Sequence, residues 1–210
     1  MNRWVAAGAL STSALLAWLS VPEVRPTPDL ACVGMGEVVP GGYPQVLQVM
    51  ADRATGLPVP LRRRLARTIA EEANAAGFDP LLILAIIDVE SDFELSSVSE
   101  RGARGLMQIR PQTLGWLAEQ AGIDDLSAAL EADPTLDVRL GVRYLKTLKD
   151  RFGSLDKALF AYNLGPAKMV RVWKENGLGQ YQGYLKAIKR DYAQLQRETG
   201  TKEDWTLASR

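Results

Sequence analysis

The stretch LLILAIIDVESDFELSSVSERGARGLMQI, residues 81–109, begins as an almost unbroken apolar run and then turns polar and acidic. Asp79 and Pro80, just before it, are typical of a helix N-cap and of the first helical position. The apolar residues predict a buried helix that ends at about Phe93. Glu90 would therefore lie near the end of the most hydrophobic helix, beside the protein core.

Other helices are predicted on both sides of this stretch, because apolar residues recur there at intervals of three and four. No segment alternates cleanly with period two, so strands are not expected. The sequence predicts an all-α fold with a minor hairpin within residues 94–109. The predicted helices cover residues 44–54, 61–77, 80–93, 111–122, 134–153, 154–165, 166–176 and 180–198.

The composition limits the classes of function. The chain has 210 residues, and 47% of them are hydrophobic, which suits a folded domain with a core. Its 25 basic and 25 acidic side chains balance, which argues against nucleic acid as a partner. The chain has no histidine, which excludes Ser-His-Asp and Cys-His catalysis and disfavours a zinc enzyme. Carboxyl, hydroxyl and amide groups remain for catalysis, and we expect no metal and no cofactor.

The N-terminal segment is typical of a targeting sequence. Arg3 is followed by VAAGALSTSALLAWLSV, residues 5–21, which contains no charged side chain. This segment fits either a cleaved signal peptide or an uncleaved membrane anchor. Both alternatives place the rest of the chain in the periplasm or on the extracytoplasmic face of the cell membrane. Cys32 is the single cysteine, so it forms no internal disulfide, and the residues before it match a lipoprotein cleavage site poorly.

We expect four segments along the chain. Residues 1–21 would be the signal peptide or anchor, and residues 22–60, rich in proline and glycine, a linker. Residues 61–198 would form the folded catalytic domain, and residues 199–210 a C-terminal tail.

Glu90 is the first candidate for a reactive group. On a helix it shares a face with Ile86, so it points toward the core or toward a cleft at its edge. Burial, the negative end of the helix dipole and like charge from Asp88, Asp92 and Glu94 would each raise its pKa. A carboxyl group that keeps its proton near neutral pH can act as a general acid. The alternative is a solvated glutamate at a helix end, as we expect for the three acidic neighbours.

Two motifs resemble those of a known family. ESDFELSSVSERGARGLMQIRPQT, residues 90–113, resembles the signature of the soluble lytic transglycosylases, lysozyme-like enzymes that cleave peptidoglycan. AYNLGP, residues 161–166, is similar to the family motif Ala-Tyr-Asn-x-Gly-Pro. Between them, DVRLGVRYL, residues 137–145, resembles a family segment that begins with Asn, which is Asp137 here. The motifs occur in the right order, and the resemblance covers about residues 61–195.

The resemblance implies a lysozyme-like helical bundle around a substrate cleft. Glu90 matches the single catalytic acid and base of the family. Ser99 matches a serine that hydrogen-bonds this carboxyl group, and Tyr162 matches a tyrosine whose hydroxyl approaches it. The residues expected to bind substrate are Ser99, Met107, Gln108, Tyr162, Asn163 and Tyr184.

Some positions around the motifs allow two interpretations. Gly102 and Gly105 would let the backbone approach a bulky glycan, or would adopt positive φ in a tight turn. Tyr162 shares a helical face with apolar residues, so core packing is the alternative to a place in the cleft. Tyr184 matches a family tyrosine, whereas Gln180 stands where the family often has a glutamate. The resemblance therefore gives no second acid in the cleft.

The implied activity is that of a lytic transglycosylase. Such an enzyme cleaves the β-1,4 bond between N-acetylmuramic acid and N-acetylglucosamine and leaves a 1,6-anhydromuramic acid end, with one glutamate as acid and then base. One alternative is a hydrolytic muramidase on the same fold, and another is a non-catalytic peptidoglycan-binding assembly protein. Peptidoglycan strands are the expected partner, and a cell-envelope-spanning machine is a further candidate. The sequence leaves endo- and exo-cleavage open.

Overall fold

Helices make up most of the chain that the computed structural model describes, residues 39–202 and 204–209. Two 3₁₀ helices, Gly177–Tyr181 and Trp205–Ala208, flank the last α-helix. These described residues contain no strand, and the all-α prediction is confirmed. The α-helices are α1 Tyr43–Arg53, α2 Val59–Ala76, α3 Pro80–Ser91, α4 Pro111–Gln120, α5 Leu126–Ala132, α6 Leu136–Phe152, α7 Leu155–Leu164, α8 Pro166–Lys174 and α9 Gln182–Glu198.

The helix α3 is the buried centre of the fold. Every residue from Pro80 to Ile87 is buried, as expected for a helix that is apolar on all sides. The helices α1, α2 and α9 pack against it. The Asp79 side chain caps its N-terminus by accepting a hydrogen bond from the Leu81 N–H at 2.9 Å. Residues 88–90 in the last turn are partly exposed, so Glu90 lies where the helix leaves the core.

Local sequence signals account for most helix ends. Ser154 caps α7 by accepting a hydrogen bond from the Lys157 N–H. Gly77 and Gly153 end α2 and α6 in the left-handed region, with φ of 71° and 74°. The helix α5 was not predicted, because Leu126–Ala132 is only 7 residues long and buries no side chain. Such a helix leaves no apolar period in the sequence.

The segment between α3 and α4 is an irregular loop, where we expected a minor hairpin. Its pairing is limited to two isolated antiparallel bridges, Val98 with Arg104 and Arg104 with Ile109. Gly102 and Gly105 have φ of 74° and 78°, which agrees with the interpretation that they serve tight turns. Tight turns and contacts with neighbouring helices therefore determine the conformation of the loop.

Residues on both sides of the expected catalytic domain also pack onto the helical core: α1 before it and Ala208 after it. The helix α1 lies within the segment predicted as a linker, and it buries three side chains. In the segment predicted as a tail, Ala208 is buried and its carbonyl accepts a hydrogen bond from the Asp79 N–H at 3.0 Å. The expected signal or anchor at residues 1–21 and Cys32 lie outside the described residues. No helix in the described part of the chain is long and apolar enough to cross a membrane.

Candidate active site

Among the described residues, the Glu90 carboxyl group has one side-chain hydrogen-bond partner. Its Oε1 accepts a hydrogen bond from the hydroxyl of Tyr184 at 2.6 Å. Tyr184 lies on α9, which packs against α3, so the packing of two helices holds the pair together. The sequence marked Tyr184 as a matching position but did not predict its contact with Glu90.

Burial controls the protonation of Glu90. It raises the pKa of Glu90 to about 7, because a carboxylate is poorly solvated in this environment. The hydrogen bond from Tyr184 and the positive charge of Arg110 act in the opposite direction and lower that pKa. Burial next to Glu90 raises the pKa of the Tyr184 hydroxyl well above its usual value, so this group stays a neutral donor. Near neutral pH a large fraction of Glu90 is protonated, as a general acid requires.

The three acidic neighbours of Glu90 have other surroundings. Asp88 forms an ion pair with Arg53 on α1. Asp92 and Glu94 are exposed, as predicted. Burial, rather than like charge from these groups, is the largest cause of the raised pKa of Glu90.

Glu90 lines a cavity with a volume of about 510 Å³. The walls come from the loop between α3 and α4, from α4 and α6, and from the junction of α7 and α8. This volume lies in the range usual for ligand sites. Five of the residues expected to form the site line this cavity, namely Glu90, Ser99, Gln108, Tyr162 and Asn163.

A second cavity of about 320 Å³ extends the first one. The two share four lining residues, Gln112, Thr113, Tyr144 and Pro166, and so form one groove. Trp116 lines the second cavity and is 43% exposed. A groove with this shape suits an extended ligand better than a compact one.

Buried hydrogen bonds anchor the loop between α3 and α4 to α6 and α7. Asp137 accepts a hydrogen bond from the Met107 N–H at 2.9 Å, and the Tyr162 hydroxyl donates to the Met107 carbonyl at 2.7 Å. Two glycines allow this close packing. A Cβ on Gly105 would lie 2.9 Å from the Asp137 carboxyl group, and one on Gly141 would lie 2.6 Å from the Met107 side chain.

Asp137 is a second buried carboxyl group near the site. Burial raises its pKa to about 6, while hydrogen bonds from the backbone N–H groups of Met107 and Leu106 lower it. Asp137 is not among the residues that line the cavity. Its carboxyl group binds the loop from the side of α6 and does not face the space that a substrate would enter.

Gln108 supports the loop from the side of the cavity. Its backbone is in the left-handed region, with φ of 47°. Its Nε2 donates hydrogen bonds to the carbonyls of Ser97 and Gly105, each at 2.9 Å. The side chain thus fixes the turn that follows α3 while it lines the cavity.

The structure gives three of the predicted residues contacts that differ from those expected. The Ser99 hydroxyl accepts a hydrogen bond from the Ala103 N–H at 3.0 Å within its own turn, and among the described residues no hydrogen bond joins it to Glu90. The Tyr162 hydroxyl donates to the Met107 carbonyl, and Tyr184 rather than Tyr162 donates to Glu90. Burial and the nearby charge of Glu90 raise the pKa of Tyr162, so its hydroxyl still lies near the acid. The Met107 side chain is fully buried, so it does not line the cleft.

Sequence reasoning missed two groups near the site. Arg110 lines the cavity, and its positive charge opposes the rise that burial causes in the pKa of Glu90. The signal for it was its place within the first motif, directly after Ile109. Asp137 was noticed only as a replacement for Asn in the third segment. Within the described residues, no three Asp, Glu, Cys or His side chains lie together in a way that could hold a metal ion.

The match to a family model covers much of this architecture. The model described as the transglycosylase SLT domain matches residues 67–183, which is more than half of the chain. The chain belongs to this family. The matched SLT region begins in α2 and ends in α9, and it contains Glu90, the loop after α3 and the second motif.

Curated relatives of this SLT-family chain carry names of the same class. The endo-type membrane-bound lytic murein transglycosylase A of Klebsiella pneumoniae is 36% identical over 102 residues, which are 44% of this chain and 47% of that protein. The membrane-bound lytic murein transglycosylase C of Actinobacillus pleuropneumoniae is 30% identical over 121 residues, 53% of this chain and 33% of that one. The chain thus matches less than half the length of these relatives.

Solved structures share the SLT fold with this chain. The 70 kDa soluble lytic transglycosylase of Escherichia coli matches with a TM-score of 0.58 and 25% identity, over 80% of this chain and 30% of that one. An inactive Glu-to-Gln mutant of the lytic transglycosylase Slt from Pseudomonas aeruginosa matches with a TM-score of 0.57 and 22% identity, over 79% of this chain and 32% of that one. At this identity the second likeness shows the fold alone.

Proposed function

We propose that this SLT-family chain is a lytic transglycosylase of peptidoglycan, with Glu90 as its general acid and then its base. The observation that carries the proposal is the placement of Glu90. Its carboxyl group is largely buried, has a pKa of about 7 and lines a groove that suits an extended ligand. The relatives described above are named lytic transglycosylases, which supports the same reaction for this chain.

In the first step, Glu90 donates its proton to the glycosidic oxygen between N-acetylmuramic acid and N-acetylglucosamine. The bond from this oxygen to C1 of the muramic sugar breaks, and positive charge develops on C1. The N-acetyl group of the substrate stabilises this charge, as the family resemblance implies. Glu90 becomes a carboxylate, which the Tyr184 hydroxyl and the charge of Arg110 stabilise.

In the second step, the Glu90 carboxylate takes the proton from the C6 hydroxyl of the same muramic sugar. The C6 oxygen bonds to C1 and closes a 1,6-anhydro ring. Glu90 has then regained its proton, and no water is consumed. A single carboxyl group can serve both steps, because it gives up one proton and takes back another.

The charges along the cavity favour this reaction over ordinary hydrolysis. Most glycosidases use two carboxyl groups on opposite sides of the scissile bond. Among the described residues that line the cavity, Glu90 has the only carboxyl side chain. A hydrolytic muramidase would use the same acid with water as acceptor, and a non-catalytic assembly protein would not need an acid in the groove.

The product of digestion separates these three functions. We expect purified peptidoglycan treated with the chain to yield fragments with anhydro ends, each lighter by one water than a reducing end in mass spectrometry. Glu90→Gln should release about 1,000-fold less in the same time and keep its helical circular dichroism. Glu94→Gln, the same change at an exposed residue beside the site, should remain active. Reducing ends would indicate a muramidase, and no release by the unmodified chain would favour the assembly protein.

We also propose that the chain acts at the cell envelope, on the extracytoplasmic side of the membrane. The uncharged segment at residues 5–21 and the membrane-bound relatives support this location. Protease added to intact spheroplasts should digest the full chain and should spare a version without residues 1–21. Protection of both versions would contradict the location. A cell-envelope-spanning machine as partner stays a prediction from the sequence.

A further inference from the structure

The groove beside Glu90 is lined by more positive than negative charge. Three cationic side chains line the first cavity, namely Arg101, Arg110 and Lys168. None of the three has a carboxylate within ion-pair distance among the described residues. The second cavity adds Arg151, which also has no such partner in this part of the chain. Positive charge thus continues along the groove, against the single carboxyl group of Glu90.

Arg110 is the cation best placed to act on a ligand. Its Nη2 donates a hydrogen bond to the Asn163 carbonyl at 3.1 Å, which holds the side chain between the loop and the end of α7. A guanidinium group has five N–H donors, and the others have no acceptor among the described residues. Burial raises the pKa of Glu90 and of Tyr144, and the positive charge of Arg110 opposes this rise in both. Arg110 therefore acts on the acid and on one of the residues that the two cavities share.

The other two cations lie on different walls of the cavity. Arg101 is exposed on the loop between α3 and α4. Lys168 lies on α8, with its Nζ 5.0 Å from the centre of the Tyr181 ring. The three cations therefore come from the loop, the start of α4 and α8. An anion that entered the cavity would meet positive charge from each of these directions.

We infer that this groove binds a carboxylate carried by the muramic acid of its substrate, with Arg110 as the main contact. This inference rests on the proposed function. N-acetylglucosamine is neutral, whereas muramic acid bears a lactyl group that ends in a carboxylate or in a stem peptide with carboxylates. A guanidinium group can donate two parallel hydrogen bonds to a carboxylate, which makes such a contact strong and directional. The cations would thus favour muramic acid over a neutral sugar near Glu90.

Binding measured without turnover tests this inference separately from the proposed function. Glu90→Gln in the full chain serves as the parent, and Glu90→Gln with Arg110→Gln as the variant. Calorimetric titration at low and high salt would use three ligands: strands with stem peptides, strands stripped to their lactyl carboxylates, and neutral chitooligosaccharides of equal length. The matched control is Lys174→Gln, which removes an exposed cation of α8 outside the groove.

The parent should bind at least one acidic ligand about tenfold more tightly than the chitooligosaccharide, and salt should reduce this preference. Arg110→Gln should remove most of the preference and leave the affinity for the neutral ligand unchanged, whereas Lys174→Gln should change neither. If the preference persists on stripped strands, the lactyl carboxylate is the group that Arg110 binds. If the preference requires stem peptides, Arg110 binds a carboxylate of the peptide.

Equal affinity of the parent for acidic and neutral strands would overturn the inference. So would an Arg110→Gln variant that binds all three ligands with equally reduced affinity, because that result would show a structural role only. Neither outcome depends on cleavage. An unmodified chain that shows the preference but releases no anhydro ends would contradict the proposed function alone.

Discussion

Glu90 at the end of α3 and Asp137 at the start of α6 are two poorly solvated carboxyl groups that lie against the same loop. Burial raises the pKa of each, to about 7 for Glu90 and about 6 for Asp137. Glu90 lines the cavity and accepts a hydrogen bond from a side-chain hydroxyl. Asp137 lies away from the cavity lining and accepts hydrogen bonds from backbone N–H groups.

Burial alone therefore does not identify a catalytic acid. Both carboxyl groups are poorly solvated, but only Glu90 can reach a molecule in the cavity. The partners of Asp137 belong to the loop, so its charge supports a fixed backbone. The partner of Glu90 is a neutral hydroxyl, which leaves the carboxyl group able to lose and regain a proton.

The largest expected difference between the two carboxyl groups is in activity. Glu90→Gln should lower the rate of anhydro-end formation by about 1,000-fold, because the amide cannot donate or accept the proton in the reaction. Asp137→Asn should keep the rate within about tenfold, because the amide oxygen can still accept the Met107 N–H. Rates from quantified anhydro ends would check both. Equal losses in the two variants would contradict the assignment.

The next largest effect concerns stability. The raised pKa of Asp137 means that the folded state binds this proton more tightly than the unfolded state, so the side chain costs stability as pH rises from about 4 to above 6. Asp137→Asn removes this cost. The variant should therefore gain about 2.5 kcal/mol over the unmodified chain between pH 4 and pH 8, because part of the cost is already present at pH 4.

Urea unfolding of both chains at pH 4 and pH 8 would measure this gain in the free energy of unfolding. Glu90 stays the same in both chains, so its own titration cancels in the comparison. A difference in stability that is the same at the two pH values would contradict the raised pKa of Asp137.

A smaller effect is expected from the two tyrosines. The Tyr184 hydroxyl donates to Glu90 and lowers its pKa, so Tyr184→Phe should move the alkaline limb of the kcat/KM profile to higher pH. It should also slow the reaction about tenfold, since the Glu90 carboxylate loses a hydrogen bond. Tyr162→Phe, which removes a hydrogen bond to the Met107 carbonyl, should leave that limb in place. A shift caused by Tyr162→Phe alone would reverse the two roles.

Much of the helical frame follows from short-range patterns. The caps at Asp79 and Ser154 and the glycines after α2 and α6 act within one helical turn, so the sequence predicts them. The position of Glu90 at the end of the apolar helix follows from the same local pattern. The helix α5 buries nothing, so it has no apolar period and was missed.

The contacts of the site are long-range, and the sequence could not predict them. Tyr184 meets Glu90 from 94 residues away, through the packing of α9 on α3. Ser99 matched a motif, but its hydroxyl is engaged within its own turn. The choice between Tyr162 and Tyr184 as the partner of the acid depends on how α7 and α9 approach α3, and no local pattern encodes that geometry.

The protonation of Glu90 in the unmodified chain is the most direct test of its role as the acid. Carboxyl-carbon NMR of the chain labelled with ¹³C-glutamate would follow every glutamate between pH 4 and pH 9. We expect one resonance to titrate near pH 7, about the pKa that burial gives Glu90, and to be missing from Glu90→Gln. If all glutamate resonances titrate below about pH 5, as solvated glutamates do, Glu90 does not hold its proton near neutral pH and the proposed acid is wrong.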